Sequence, residues 1–277
     1  LSNLFKEQKY NELIFFIETS FPNKSTQILN LLGVARLLNN RDKSSLTLAL
    51  SDFKQAYFKE KKTNFGLEAL TNFINTAVDF YVSQGPLEDT ITDSAIYLNQ
   101  TNDMFEEAEI NFGYDKQLVS SIIRSYQYQG NLNKTLFYLK KQFEKGDLDL
   151  SRFALWIYFN NYKKNWTQAD FLKYSKLFAD KIKNFIPSDL VELNREKNKK
   201  IRLGFISSEI LKKHSITYFL ETIFKNYNKD KFEIYLFLDN EIEDENTNEF
   251  KILVEKFINV SNLEDIEVFN LIRGNNI

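Results

Sequence analysis

The chain has no cysteine, which at once excludes disulfides, thiolate zinc sites and cysteine nucleophiles and agrees with a reducing cytoplasm. Histidine occurs once, at His214, so a metal site would have to be assembled from carboxylates and a single imidazole. No metal and no organic cofactor is expected. Neither sign of charge dominates: 36 Lys and Arg stand against 38 Asp and Glu, and a net charge of -2 gives no electrostatic footprint for nucleic acid or an anionic membrane surface. No apolar run approaches the ~18 residues that a membrane helix needs. Leu13 to Ile17 is too short, and Leu31 to Leu38 is interrupted by Arg36. Glycine-rich phosphate-binding signatures are missing too, since Ser207-Ser208-Glu209 stand where a dinucleotide fingerprint or a P-loop would place glycines.

What is present is an ordinary globular composition, 43% apolar and 15% aromatic over 277 residues, enough to fill the cores of two domains. From Ser2 to about Gly146 apolar residues recur three and four apart, with scarce Gly and Pro and polar turns at intervals, the pattern of stacked amphipathic helices. Leu29, Leu32, Gly33 and Leu37 share one stripe and Leu46, Ala49, Phe53 and Ala56 the next, with Asn39 to Lys43 as the turn. Gly33, Ala49 and Ala56 fit the small-residue positions of a tetratricopeptide repeat if about four extra residues are allowed between the helices. Leu118 to Phe143 forms a second such pair, with Tyr126, Gly130, Thr135 and Leu139 at repeat-like spacing around an Asn131 turn. Between the pairs, Phe65 to Gln84 reads as one long helix ended by Gly85-Pro86, followed by a helix from Leu87 to about Gln100 and another over Asp103 to Ile110. Such repeats serve either as a concave surface for a protein or peptide or as a scaffold for the next domain. The residues alone leave both open.

Thr167 is a candidate N-cap for a helix carrying Phe171, Tyr174, Leu177, Phe178 and Ile182 on one face. Pro187 to Lys200 is polar and reads as a solvated linker. At Ile201 the period changes: Ile201, Leu203, Phe205 and Ile206 form a short apolar run of the kind found in buried parallel strands. Ile216 to Tyr227 (helix), Phe232 to Leu238 (strand), Glu249 to Lys256 (helix), Phe257 to Val260 (strand) and Leu263 to Arg273 (helix) continue it. The alternation implies a Rossmann-like parallel sheet, with its working groups at the carboxyl ends of the strands. The expected fold class is therefore a tetratricopeptide-like α-helical repeat, an α-α superhelix, followed by a partial α/β Rossmann-like domain. The expected domains are 1–150, helical repeats; 151–198, a helical linker; and 199–277, the first part of a catalytic domain. Residue 1 is Leu and a fourth strand is expected to begin at Asn275, so the chain is expected to be a piece of a longer protein.

Three segments carry a more specific likeness. Ile201-Arg202-Leu203-Gly204-Phe205-Ile206-Ser207, then Ser208-Glu209, then His214-Ser215-Ile216-Thr217-Tyr218-Phe219-Leu220 resemble the start of the catalytic region of the O-GlcNAc transferase and SPINDLY-like family. Asp230-Lys231-Phe232-Glu233-Ile234-Tyr235 is similar to that family's second strand, and Trp156 to Lys181 to its linker helices. Ser215 replaces a usual proline, and Lys212-Lys213 lengthens the preceding loop by about one residue. The resemblance implies inverting transfer of a sugar, most often N-acetylglucosamine from UDP-GlcNAc, to protein Ser or Thr hydroxyls. The nucleotide sugar would be a substrate rather than a cofactor. It further implies a polypeptide acceptor held by the repeats, His214 as a positioning group or base, and Ser207, Ser208 and Tyr218 as substrate-binding residues. Residues 1–277 alone are expected to be inactive, because most of the family's donor site lies in a second Rossmann domain. Two alternatives stand beside this bacterial-type, cytoplasmic transferase: a SPINDLY-like O-fucosyltransferase using GDP-fucose, and a non-enzymatic repeat adaptor with a degenerate Rossmann-like domain.

Overall fold

The structure, a computed structural model, describes residues 1–83, 91–183, 200–210 and 215–277, with the backbone alone at 91–93. The chain divides into two compact units, Leu1–Ile186 and Pro187–Ile277. The first contains ten described helices: α1 (Ser2–Lys6), α2 (Tyr10–Ser20), α3 (Thr26–Asn39), α4 (Lys43–Lys59), α5 (Asn64–Ser83), α6 (Ile91–Phe112), α7 (Lys116–Tyr128), α8 (Leu132–Glu144), α9 (Leu150–Asn160) and α10 (Gln168–Ile182).

The boundaries of these helices are written in their caps. Ser25, Asp42, Asp115, Asn131, Asp149 and Thr167 each accept a hydrogen bond from the backbone N–H three residues on, so an otherwise unpaired donor of the first turn is satisfied. Each such cap is worth about 1 kcal/mol. At the other end, Gly130 and Gly146 take positive φ of 67° and 73°. That left-handed step returns the N–H of Asn131 to the carbonyl of Tyr126 at 2.8 Å and the N–H of Asp147 to that of Gln142 at 3.0 Å.

With turns this short, consecutive helices double back on one another: α3 packs on α4, α5 on α6, α7 on α8 and α9 on α10, and α5 also touches α4 and α7. One continuous core runs through the stack from Leu29 to Ile157, containing fully buried Phe53, Phe73, Phe105, Tyr126 and Phe153. Burial of side chains of this size contributes about 1.5 to 3 kcal/mol apiece. Small residues set the spacing, with Gly33 of α3 facing the ring of Phe53, and Ala49 and Ala56 of α4 wholly buried. The unit is thus a tetratricopeptide-like helical repeat.

The two helices expected over Leu87–Gln100 and Asp103–Ile110 are a single helix, α6. The polar residues that suggested a break are packed inside. The Thr101 hydroxyl bonds to the Leu98 carbonyl and to Ser125 Oγ of α7, and the Asn102 carboxamide bonds to Gln129. On α10, Tyr174 and Phe178 join the core while Phe171 and Leu177 are exposed, so the expected stripe is only half used. The Gly85-Pro86 helix end, Leu87 and the linker residues 187–199 lie outside the described residues.

The second unit is β1 (Ile201–Ser207), α11 (Ser215–Asn226), β2 (Phe232–Leu238), α12 (Glu245–Leu253), β3 (Lys256–Asn259) and α13 (Asp265–Gly274). The strands form a parallel sheet in the order β1-β2-β3, with Leu203 opposite Ile234 and Leu236 opposite Phe257. Ile234, Leu236 and Leu238 pack with Phe224 of α11 and Phe250 of α12 on one face. Tyr235 and Phe237 pack with Val260, Val268 and Leu271 on the other, under α13. This is a Rossmann-like α/β arrangement with helices on both faces. Arg202 fastens it, donating to Glu233 at 2.9 Å and to the Asn275 carbonyl at 2.8 Å.

Two expectations are corrected in this unit. β1 is not a buried strand: Ile201 and Ile206 are 58% and 56% exposed. Its apolar run reads like that of β2, but only β2 has a neighbour on each side, and β1 is an edge among the described strands. α12 begins at Glu245, one turn before the expected Glu249, because Asp244 and Thr247 form a reciprocal capping box there.

Candidate functional site

The carboxyl ends of the three strands converge on one crevice, and their loops are tied together by side chains. The Ser207 hydroxyl accepts from the Glu209 N–H at 3.1 Å, and the Ser207 carbonyl accepts from the Asp239 N–H at 3.1 Å, linking the ends of β1 and β2. Asn240 Nδ2 donates to the Ser208 carbonyl at 2.9 Å, and Asn259 Nδ2 donates to the Asn240 carbonyl at 3.0 Å. Thus β1, β2 and β3 are stitched in sequence. Behind them Ile210 is fully buried, and its carbonyl accepts from Thr247 Oγ1 of α12 at 3.1 Å. The chain from Ser207 to Ile210 is therefore pinned, and Ser207 and Ser208 stand at the rim.

Asn259 and Lys251 also hold Glu243, at 3.0 and 2.6 Å. The Lys251 bond, seconded by Asn259, keeps the Glu243 carboxyl below the usual glutamate range. Next to these loops a cavity of about 310 Å³ opens against α13. Ile206, Val260, Leu263 and Phe269 supply apolar wall, Asp239 and Asp265 supply carboxylates, and no Lys or Arg is among the described lining residues. Serine hydroxyls, carboxylates and amides suit a hydroxyl-rich ligand. A diphosphate requires cations or a cluster of N–H donors, which this described lining does not supply. Among the described residues no group of three or more metal-ligating side chains occurs.

Of the residues singled out in the sequence, Ser207 and Ser208 come together at this rim. Tyr218 lies on the outer side of α11, 61% exposed beside exposed Phe219, and its hydroxyl bonds to neither serine. Its neighbour Thr217 is the buried residue of that turn, with its hydroxyl 3.4 Å from the Glu209 carbonyl. His214 lies outside the described residues, as do Lys212 and Lys213. Sequence reasoning missed Asn240 and Asn259, although each falls near the end of a predicted strand. It also missed the polar stripe of Gln117, Ser120, Arg124 and Gln127 along α7, whose spacing of three and four places them on one helix face.

Helical repeats followed in one chain by a Rossmann-like α/β unit define the fold. Among solved structures it is similar to a mutant of the O-GlcNAc transferase of Thermobaculum terrenum, with a TM-score of 0.57 and 12% identity, covering 92% of this chain and 46% of that one. The chain spans about half the length of that structure. No protein-family model and no curated protein matches the chain. No described helix is long and apolar enough to cross a membrane.

Proposed function

We propose that the chain belongs to a cytoplasmic, bacterial-type protein glycosyltransferase that moves N-acetylglucosamine from UDP-GlcNAc to Ser or Thr hydroxyls of polypeptides. Residues 1–150 hold the acceptor, 151–198 form a helical linker, and 199–277 supply one wall of the transfer cleft. The observation that carries this reading is the extent of the structural likeness: at 92% of the chain it takes in both the repeats and the α/β unit. In the reaction the acceptor hydroxyl oxygen attacks the anomeric carbon and the bond to the diphosphate breaks with inversion. UDP departs, and the hydroxyl proton passes to a base. Such a step needs in-line orientation, a place for the proton and a grip on the leaving diphosphate. His214 orients the acceptor or takes the proton, Ser207 and Ser208 hydrogen-bond the sugar or acceptor at the strand ends, and Tyr218 supplies a further substrate contact from α11. The diphosphate is gripped by groups outside the described strand-end crevice, whose lining has no cation.

A second reading is a repeat adaptor whose α/β unit is a relic. Incubating the full-length protein with labelled UDP-GlcNAc or GDP-fucose and a cell extract separates the readings. Incorporation from UDP-GlcNAc supports the proposal, and incorporation from GDP-fucose alone moves the assignment to a fucosyltransferase. Incorporation from neither, with the protein folded, rejects a transferase.

A further inference from the structure

The cavity of about 310 Å³ between the strand ends and α13 joins hydrocarbon walls, from Ile206, Val260, Leu263 and Phe269, to two charged groups, Asp239 and Asp265. Neither carboxylate has a hydrogen-bond or ion-pair partner among the described residues. Carboxylates nearby are engaged: Glu243 is held by Lys251 and Asn259, Asp244 caps α12, and at the start of α13 Glu267 accepts from the Glu264 N–H at 2.9 Å. Asp239 and Asp265 are left for what enters the cavity. The chemistry of the lining selects that ligand. Its charged groups accept hydrogen bonds and donate none, so they repel a phosphate or a carboxylate. A divalent cation needs a shell of about six oxygens, which hydrocarbon walls do not supply. Sugar hydroxyls find donors and acceptors together at the serine and asparagine rim, whereas the cavity side chains offer acceptors only. A neutral apolar group would leave both carboxylates against hydrocarbon. An ammonium or guanidinium on an aliphatic stem answers both halves, with the stem along the walls and the charged head at the carboxylates.

We propose that this cavity takes the side chain of a Lys or Arg in a polypeptide whose Ser or Thr hydroxyl lies at the Ser207-Ser208 rim. Ile206 immediately precedes Ser207 and Asp239 immediately precedes Asn240, so cavity and rim are contiguous. An extended polypeptide advances about 3.3 to 3.6 Å per residue, which carries a basic residue one or two positions from the hydroxyl to the cavity mouth. The inference rests on the reading of the strand ends as one wall of the transfer cleft, and it narrows the acceptor to segments with such a basic neighbour. An acidic neighbour would bring carboxylate against carboxylate.

The test is fluorescence anisotropy of the 277-residue chain with labelled peptides of about eight residues that differ only two positions after a Ser. One carries Lys there, one carries norleucine, which keeps the aliphatic stem without the charge, and one carries Glu. Two exposed ion pairs set the expected scale: the Lys peptide should bind about five- to ten-fold more tightly than the norleucine peptide, and the Glu peptide most weakly. Asp239→Asn with Asp265→Asn is nearly isosteric and breaks no side-chain hydrogen bond or ion pair among the described residues. It should equalise the Lys and norleucine peptides and leave the affinity of the norleucine peptide unchanged. Equal binding of those two peptides by the parent protein, survival of the Lys preference in the double variant, or no binding of any peptide at millimolar concentration overturns the proposal. Cadaverine distinguishes a free amine from a polypeptide side chain. It should displace the Lys peptide only in large excess, and displacement at equal concentration gives the cavity to a free amine and overturns the assignment. No donor sugar enters this assay. Loss of the Lys preference with transfer intact removes this inference alone, and a Lys preference without transfer removes the transferase reading alone.

Discussion

Phe53 of α4 lies so close to Gly33 of α3 that a Cβ on Gly33 would stand 2.6 Å from its Cε1 and 2.8 Å from its Cζ. Phe53 is fully buried, so its ring cannot swing away. Gly33→Ala gains about 1 kcal/mol of helix propensity but overpacks a closed core at a cost of about 1 to 3 kcal/mol. With the ring enclosed the cost falls toward the upper end of that range, and the variant should be less stable by up to about 2 kcal/mol in urea denaturation. Adding Phe53→Leu should recover part of the loss, which marks the contact rather than the helix as the cause. A Gly33→Ala protein more stable than the parent would disprove the close approach of α3 and α4.

Arg36 of α3 bonds to Asp52 of α4 at 2.8 Å and to Glu18 of α2 at 2.6 Å, with the Arg36 and Asp52 side chains only 12% and 11% exposed. Removing one member of a largely buried pair strands the other charge, which costs about 3 kcal/mol. Arg36→Ala should therefore lower stability by about that amount. Glu18→Ala, breaking the half-exposed arm, should cost under about 1 kcal/mol. Arg36→Met with Asp52→Leu should lie close to the parent, because no charge remains to be stranded. Thermal melts of the four proteins check the order.

Thr101 sits midway along α6, where the sequence suggested a turn. Proline inside a helix costs about 3 kcal/mol or more, whereas proline in a turn is tolerated. Thr101→Pro should cause a loss of that size, and Thr101→Val one of about 1 kcal/mol from the hydroxyl pair with Ser125 at 2.8 Å. A Thr101→Pro protein as stable as the parent would restore the two-helix reading.

Glu243 has a lowered carboxyl pKa because Lys251 and Asn259 hydrogen-bond its ionised form. A lowered acid stabilises the fold above its unfolded pKa, and that contribution is lost as pH falls through the folded value. NMR titration should place Glu243 below an ordinary glutamate, and Lys251→Ala should raise it. No change on removing Lys251 would sever the link between α12 and the loop after β2.

Much of the fold was legible because its signals are local. Thr167 as a cap, Gly33 with Ala49 and Ala56 as a close-packed seam, and the apolar runs at Ile201 and Phe232 all act within a few residues of themselves. What was not legible depends on partners distant in sequence. The polar residues Thr101 and Asn102 look like a turn until Ser125 and Gln129 are seen to satisfy them. β1 and β2 have similar apolar runs, yet their burial differs because strand order, rather than composition, decides which is an edge. At the site, Ser207 and Ser208 could be placed from the strand that precedes them. The amides of Asn240 and Asn259 that stitch the rim could not, because each reaches a partner on another loop.

The proposed sugar transfer assisted by His214 is tested by kcat of the full-length protein with UDP-GlcNAc before and after His214→Ala. Loss of a positioned base or orienting imidazole is predicted to lower kcat by about 10² to 10⁴ with the protein still folded. An unchanged kcat in the variant would exclude His214 from the transfer step.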